Sequence, residues 1–189
     1  MPTVPERQRR PRAGPARFAA LLLATGCEGG QGGAPGLVFH DDFNAENHGV
    51  SSVNYTALRR WRVVAGSVDL VGSYPFDLLS PGHGLYLDLD GATNHAATLR
   101  SRAALELEPG EYRLSFVLAG PQRQCALNVV HVRLGALYAE AFARAAFDAP
   151  VRIARRIRVD APASAHLEFR HEGGDNFGLL LDDVELRRL

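Results

Sequence analysis

The side chains that could do chemistry fall into two groups. Carboxylates recur in close pairs at Asp41 and Asp42, at Asp88 and Asp90, and at Asp182 and Asp183. Hard oxygens gathered in this way suit calcium, which takes about six to eight oxygen ligands at about 2.3–2.6 Å. Aromatic and amide side chains stand among turn formers. Tyr55 lies in the stretch from Asn44 to Thr56, Tyr74 and Phe76 lie between Gly72 and Gly84, and Asn94, His95, Asp175 and Asn176 follow. A flat ring on a loop stays wet until a ligand ring covers it, and a sugar site needs such a face beside a few placed polar groups. Tyr55, Tyr74, Asn94, His95, Asp175 and Asn176 are therefore the candidate ligand contacts. Asp175 and Asn176 sit in a Gly-Gly-Asp-Asn turn, and turn chemistry offers a second account of them. The single tryptophan, Trp61, shares a face with Val63 and reads as core rather than as a stacking platform.

Enzyme chemistries find little to stand on. There is neither a Gly-x-Ser-x-Gly elbow nor a His-Glu-x-x-His pair, and His171-Glu172 runs on into Gly-Gly-Asp. Asp88-Leu-Asp90-Gly91 does not continue as a calcium-binding loop, because Leu99 occupies the place of the closing glutamate. A carboxylate pair for glycoside hydrolysis needs a cleft holding the two groups roughly 5–9.5 Å apart, and a domain of this size rarely builds one. All 21 basic residues are arginine, so lysine-dependent phosphate loops, Schiff bases and Ser-Lys dyads are excluded. The 21 acids cancel them, which argues against a nucleic-acid binder. The chain is expected to be non-catalytic.

The elements that must position these residues alternate with period two. Leu85, Leu87 and Leu89 alternate with Tyr86, Asp88 and Asp90, and Tyr112, Leu114, Phe116 and Leu118 alternate with Arg113, Ser115, Val117 and Ala119. Such alternation predicts half-solvated antiparallel sheets. Turn signals such as Pro81-Gly82, Asp90-Gly91, Pro109-Gly110 and Gly173-Gly174 cut the chain into many short strands, which points to a sandwich or barrel. Residues 136–147 are alanine-rich and could form a helix, but Tyr138, Glu140 and Phe142 share one side of an extended chain, and an edge strand is the reading taken.

The N-terminal region reads as an address. Five arginines and four prolines in residues 1–17 precede the short apolar run Phe18–Gly26, as in a secretory signal. The run is too short to span a bilayer. Leu23-Ala24-Thr25-Gly26-Cys27 resembles the lipobox of bacterial lipoproteins, with the leucine one place further from Cys27 than usual. Lipidation at Cys27, plain secretion and an uncleaved leader remain the alternatives. The expected organisation is a signal segment at 1–27, a glycine-rich linker at 28–36 and a β-sandwich domain at 37–189. Cys125 is then a small buried apolar residue, or the partner of Cys27 in a bridge.

Taken in order, Asp41-Asp42-Phe43-Asn44, Leu85-Tyr-Leu-Asp-Leu-Asp-Gly91, Pro109-Gly-Glu-Tyr-Arg-Leu-Ser-Phe116 and Gly173-Gly-Asp-Asn-Phe-Gly-Leu-Leu-Leu-Asp-Asp-Val184 resemble the galactose-binding-like jelly roll of exported bacterial surface proteins and of a related plant cell-wall group. The resemblance covers nearly all of 37–189. It implies an all-β antiparallel sandwich, a carbohydrate partner such as a cell-envelope polysaccharide, and a structural calcium. If the first and last strands lie together, Asp42 with Asp182 or Asp183 could close an ion site, with one member of each adjacent pair facing it. Related chains often end in a sorting helix. This one is expected to be anchored at Cys27 instead, in the periplasm or at the cell surface. A structural or adhesive module that binds a protein partner is the alternative.

Overall fold

Tyr112, Leu114, Phe116 and Leu118 all turn inward from the longest strand, β7 (Gly110–Ala119), and the alternation that predicts them sets the plan of the molecule. The structure is a computed structural model that describes residues 36–73, 77–79, 82–93, 95–123 and 127–189. Cys27, Tyr74, Phe76, Asn94 and Cys125, expected above to carry roles, lie outside the described residues.

One sheet is built from β1 (Leu37–Asp41), β3 (Asp69–Val71), β4 (Tyr86–Asp88), β7, β10 (Val151–Val159) and β13 (Leu180–Arg188). Its order is β10-β7-β13-β4-β3, all antiparallel, and β1 takes the half of β13 that β4 does not reach. The facing sheet has the order β2-β5-β12-β8-β9, from β2 (Trp61–Ala65), β5 (Thr98–Ser101), β8 (Leu127–Leu134), β9 (Tyr138–Ala145) and β12 (Leu167–Glu172). A short pair, β6 (Leu105–Leu107) with β11 (Ala163–Ala165), carries the β5–β12 pairing round a corner. The predicted antiparallel β-sandwich is the fold observed, and residues 136–147 are indeed an edge strand, β9.

Aromatic edges lock the two layers together. Trp61 is fully buried, with Phe39 edge-on at 5.0 Å and Phe169 at 5.7 Å; Phe116 in turn meets Phe169 at 5.2 Å and Phe142 at 5.4 Å. These T-shaped contacts match the ring quadrupoles, each adding about 1 kcal/mol beyond burial. Trp61 Nε1–H donates to Asp41 Oδ2 at 3.0 Å, which satisfies its only polar atom inside the core.

At β4 the expected half-solvated pattern fails. Tyr86, Leu87 and Asp88 are all buried: Leu87 faces the main core, residues 77–79 fold over Tyr86, and Gly178 closes on Asp88. Leu78 and Leu79 pack on Val71, Tyr86, Ala119 and Leu180, while the Tyr86 hydroxyl accepts from the Leu78 and Leu79 amides and donates to Asp77 Oδ1 at 2.9 Å. A connection of that length, tied down by one hydroxyl, turns a surface face into a second small core.

Strict alternation also breaks in β13, where the pairing shifts between Asp182 and Glu185 and Asp183 adopts a left-handed φ of 49°. The bulge resets the phase, so Leu179 and Leu181 point inward before it and Val184 and Leu186 after it.

Candidate functional site

The two motifs richest in turn residues dock onto each other at one end of the sandwich. Asp90 Oδ2 accepts the amides of Gly174 and Asp175, at 2.8 and 3.0 Å, and Asp88 Oδ1 accepts those of Asp90 and Gly178, at 3.0 and 2.9 Å. Asp88 and Asp90 thus stand as clamps for the turn at 173–178. Gly178 is required by closeness: a Cβ there would lie 2.2 Å from Asp88 Oδ1 and 2.2 Å from the Asp90 nitrogen. Burial pushes the Asp88 carboxyl up to about 7, reinforced by the charge of Asp69, its register partner across β3–β4. Asp69 is itself raised by burial, although its Oδ1 accepts the amides of Asn54 and Ala92.

Beside this clamp lies an open pocket of about 220 Å³, whose lining includes the apolar Val53 and Val71 and the polar Asp69, Asp88, Arg123 and Asn176, while Leu70 turns its side chain into the core. The pocket combines an apolar wall with both acceptors and a donor-only cation, the mix that fixes a polyhydroxyl ligand. Asn176 holds a φ of 66°, and its Oδ1 is buried with no hydrogen-bond partner; Asp90 Oδ1 and His171 Nδ1 are in the same condition nearby. His171 Nε2 accepts the Leu179 amide at 3.3 Å, so the ring proton belongs on Nδ1, and burial lowers the histidine's pKa. Unmet polar atoms at one end of the fold are an invitation to a ligand or water.

The predicted ligand contacts divide. Asn176 lines the pocket and Asp175 caps the adjoining turn, with Oδ1 accepting the Phe177 amide at 3.2 Å. Tyr55 packs partly on the core and reaches Glu46 through its hydroxyl at 3.4 Å, so it is not an open platform. His95 is exposed in the loop before β5, where its carbonyl accepts the Ser67 amide; it is not among the pocket residues. Sequence reasoning missed Asp69 and Arg123. The first stands in a strand rather than a loop, and the second carries no local motif.

Among the acids chosen for calcium, Asp42 is near enough to Asp182 for its charge to act on it. Burial raises the Asp182 carboxyl to about 7, with the charges of Asp183 and Asp42 adding to it. Asp183 instead forms an ion pair with Arg152. Among the described residues no three His, Cys, Asp or Glu side chains converge as metal ligands, so any calcium would have to draw further oxygens from backbone or water. Nor, among the described residues, is there a helix long and apolar enough to cross a membrane.

No protein-family model matches the chain, and no curated protein matches it by sequence. Among solved structures it is similar to the C-terminal family 6 carbohydrate-binding module of a marine laminarinase from Zobellia galactanivorans. The identity there is 8%, with 74% of this chain and 98% of the other covered and a TM-score of 0.44. A family 61 carbohydrate-binding module solved with β-1,4-galactotriose gives 15% identity, 72% and 92% coverage and a TM-score of 0.44. The K3 adhesin domain of Lys-gingipain from Porphyromonas gingivalis gives 18% identity, 80% and 99% coverage and a TM-score of 0.48.

Proposed function

We propose that this chain is a non-catalytic carbohydrate-binding module that takes a sugar in the loop-end pocket, and that it is exported and tethered to the cell envelope through lipid on Cys27. The observation that carries the reading is the pocket's composition: Val53 and Val71 offer an apolar wall to the C–H face of a ring. Asp69, Asp88, Arg123 and Asn176 offer acceptors and donors to its hydroxyls. Both carboxylates are engaged by backbone amides, which suits fixed hydrogen-bond acceptors better than a general acid and a nucleophile. The segment that carries Tyr74 leaves β3 directly after Val71, one of the wall residues, which keeps Tyr74 a candidate for stacking. Calcium at Asp42 and Asp182 belongs to the same reading as a structural ion, since two mutually repelling carboxylates are relieved by a cation between them. The arginine-rich start, the short apolar run and Cys27 support export and lipidation.

A glycan array probed with the chain from residue 28 onward, beside Arg123→Gln and Tyr74→Ala, tests the function. Binding to at least one neutral oligosaccharide, weakened in Arg123→Gln, is expected. Absence of binding to any glycan, together with capture of a defined envelope protein, would favour the adhesive alternative. Release of reducing ends from a bound polysaccharide would contradict the non-catalytic assignment.

A further inference from the structure

At the opposite end of the sandwich the fold builds a second cavity of different chemistry. Arg60 and Arg102 flank the Trp61–Ser101 pair at one end of the β2–β5 ladder, whereas Ala65 pairs with Thr98 at the end nearer the 173–178 turn. There Arg59, Arg60 and Arg102 line a cavity of about 430 Å³ whose apolar side is Val38, Phe39, Ala103, Ala104 and Leu105. Among the described residues none of the three guanidinium groups has a carboxylate partner. Arg102 Nε donates to the Leu58 carbonyl at 2.8 Å, and Arg60 lies over the Phe39 ring at 6.0 Å. The one acid on the wall, Glu106, accepts from the Ser164 hydroxyl at 2.6 Å.

From residue 28 onward the chain has 16 arginines against 20 acids, yet five of the seven arginines without an ion pair among the described residues gather in this half of the molecule. They are Arg59, Arg60, Arg62, Arg102 and Arg133, the last of these lining a neighbouring hollow with Arg100 and His166. Arg62 and Arg100 stand directly opposite one another across β2 and β5. Arg100 is answered by Glu168, opposite it on β12 and bonded to it at 2.8 and 2.9 Å, whereas the Arg59–Arg60–Arg102 cavity has no such internal counter-ion among the described residues.

We propose that the Arg59–Arg60–Arg102 cavity is a second ligand site that takes a carboxylate-bearing sugar of the uronic-acid class. A guanidinium presents two parallel donors to a planar carboxylate, and three of them around one cavity select that group over a neutral hydroxyl. The apolar side formed by Val38, Phe39 and Leu105 receives the C–H face of the ring that carries the charge. A volume near 430 Å³ lies within the usual range for a small-ligand pocket and accommodates a short oligosaccharide end. The inference rests on the carbohydrate reading only for the body that carries the charge; the cavity, its residues and its electrostatics are separate from the loop-end pocket.

Titration calorimetry of the chain from residue 28 with trigalacturonate decides it, with galactotriose as the neutral control and inorganic sulfate as the bare anion. Trigalacturonate is expected to bind at low salt and to weaken as salt is added. The double variant Arg59→Gln/Arg60→Gln is expected to lose at least about tenfold in affinity, roughly one charge-assisted hydrogen bond, with an unchanged melting midpoint. Arg123→Gln is expected to leave trigalacturonate binding intact. If no neutral oligosaccharide on the array binds while trigalacturonate binds as described, the loop-end reading falls and this one stands. The proposal is overturned by no uronate binding, by equal affinity in the double variant, by uronate binding lost in Arg123→Gln instead, or by sulfate binding as tightly as the uronate.

Discussion

Asp88 shows how much a single buried carboxyl decides. It is 4% exposed, and its pKa near 7 lies well above the ordinary aspartate range. An acid raised in the folded state holds its proton where the unfolded chain has already lost it. Its contribution is therefore full below about pH 4 and disappears as pH rises through 7. At pH 8 the folded state carries a buried charge costing on the order of 4 kcal/mol relative to acid conditions. Asp88→Asn keeps an acceptor for the amides of Asp90 and Gly178 without the charge. The variant's melting midpoint relative to wild type is expected to climb steadily between pH 5 and pH 8; a constant difference across that range would contradict the assignment. His171 has the opposite sign, since a lowered histidine pKa removes stability as pH falls below about 6.5, so only the wild-type-minus-variant difference isolates Asp88. Close approach gives a second residue-level expectation. Gly178→Ala has no room beside Asp88 and Asp90 and should cost more than about 2 kcal/mol, read from chemical denaturation.

Strand edges are where the elements manage their exposed hydrogen-bonding groups. β9 and β10 are the outer strands on the same side of the two sheets, and both turn a charge inward. Arg155 gives Glu140 two hydrogen bonds of 2.7 Å and lies 5.1 Å from the Phe142 ring, while the Tyr138 hydroxyl completes the group. Arg155 and Glu140 are about a third exposed, so solvent screening limits the pair to about 1 kcal/mol. Its larger role is to bar further strand addition. Arg155→Ala is expected to lower the melting midpoint by a few degrees and to raise self-association in light scattering; a variant as monodisperse as wild type would remove the second role. This edge was legible in the sequence, because Tyr138, Glu140 and Phe142 fall on one side of an extended chain. The β13 bulge was not. Asp182-Asp183 looks like any adjacent pair until a left-handed residue breaks the alternation, and single-residue conformations leave no period to read. β4 was misjudged for a related reason. Asp88 and Asp90 resemble solvated positions, and only the 173–178 turn, distant in sequence, buries them.

Across the whole molecule, the sequence motifs and the chemistry separate. The motifs that made the jelly-roll resemblance readable, Leu-Asp-Leu-Asp-Gly and Gly-Gly-Asp-Asn-x-Gly, serve first as mutual clamps at one end. The pocket they frame takes Asp69 from a strand and Arg123 from a turn distant in sequence. Of the ligand contacts inferred from residue type, Asn176 is in the pocket and Tyr55 is not, since ring exposure depends on packing that no local pattern encodes. The distribution of charge adds a polarity. One end offers carboxylates, an amide and the single cation of Arg123, the other a cluster of arginines, on a domain that is anionic overall. The measurement that reaches furthest is NMR mapping of the isotopically labelled chain from residue 28, titrated with the tightest neutral oligosaccharide from the array. Shift changes confined to residues around Val53, Asp69, Ala92, Arg123 and Asn176 are predicted. Changes centred instead on Arg62, Arg100 and Arg133, or no saturable change with any neutral glycan, would contradict a sugar site at the loop end.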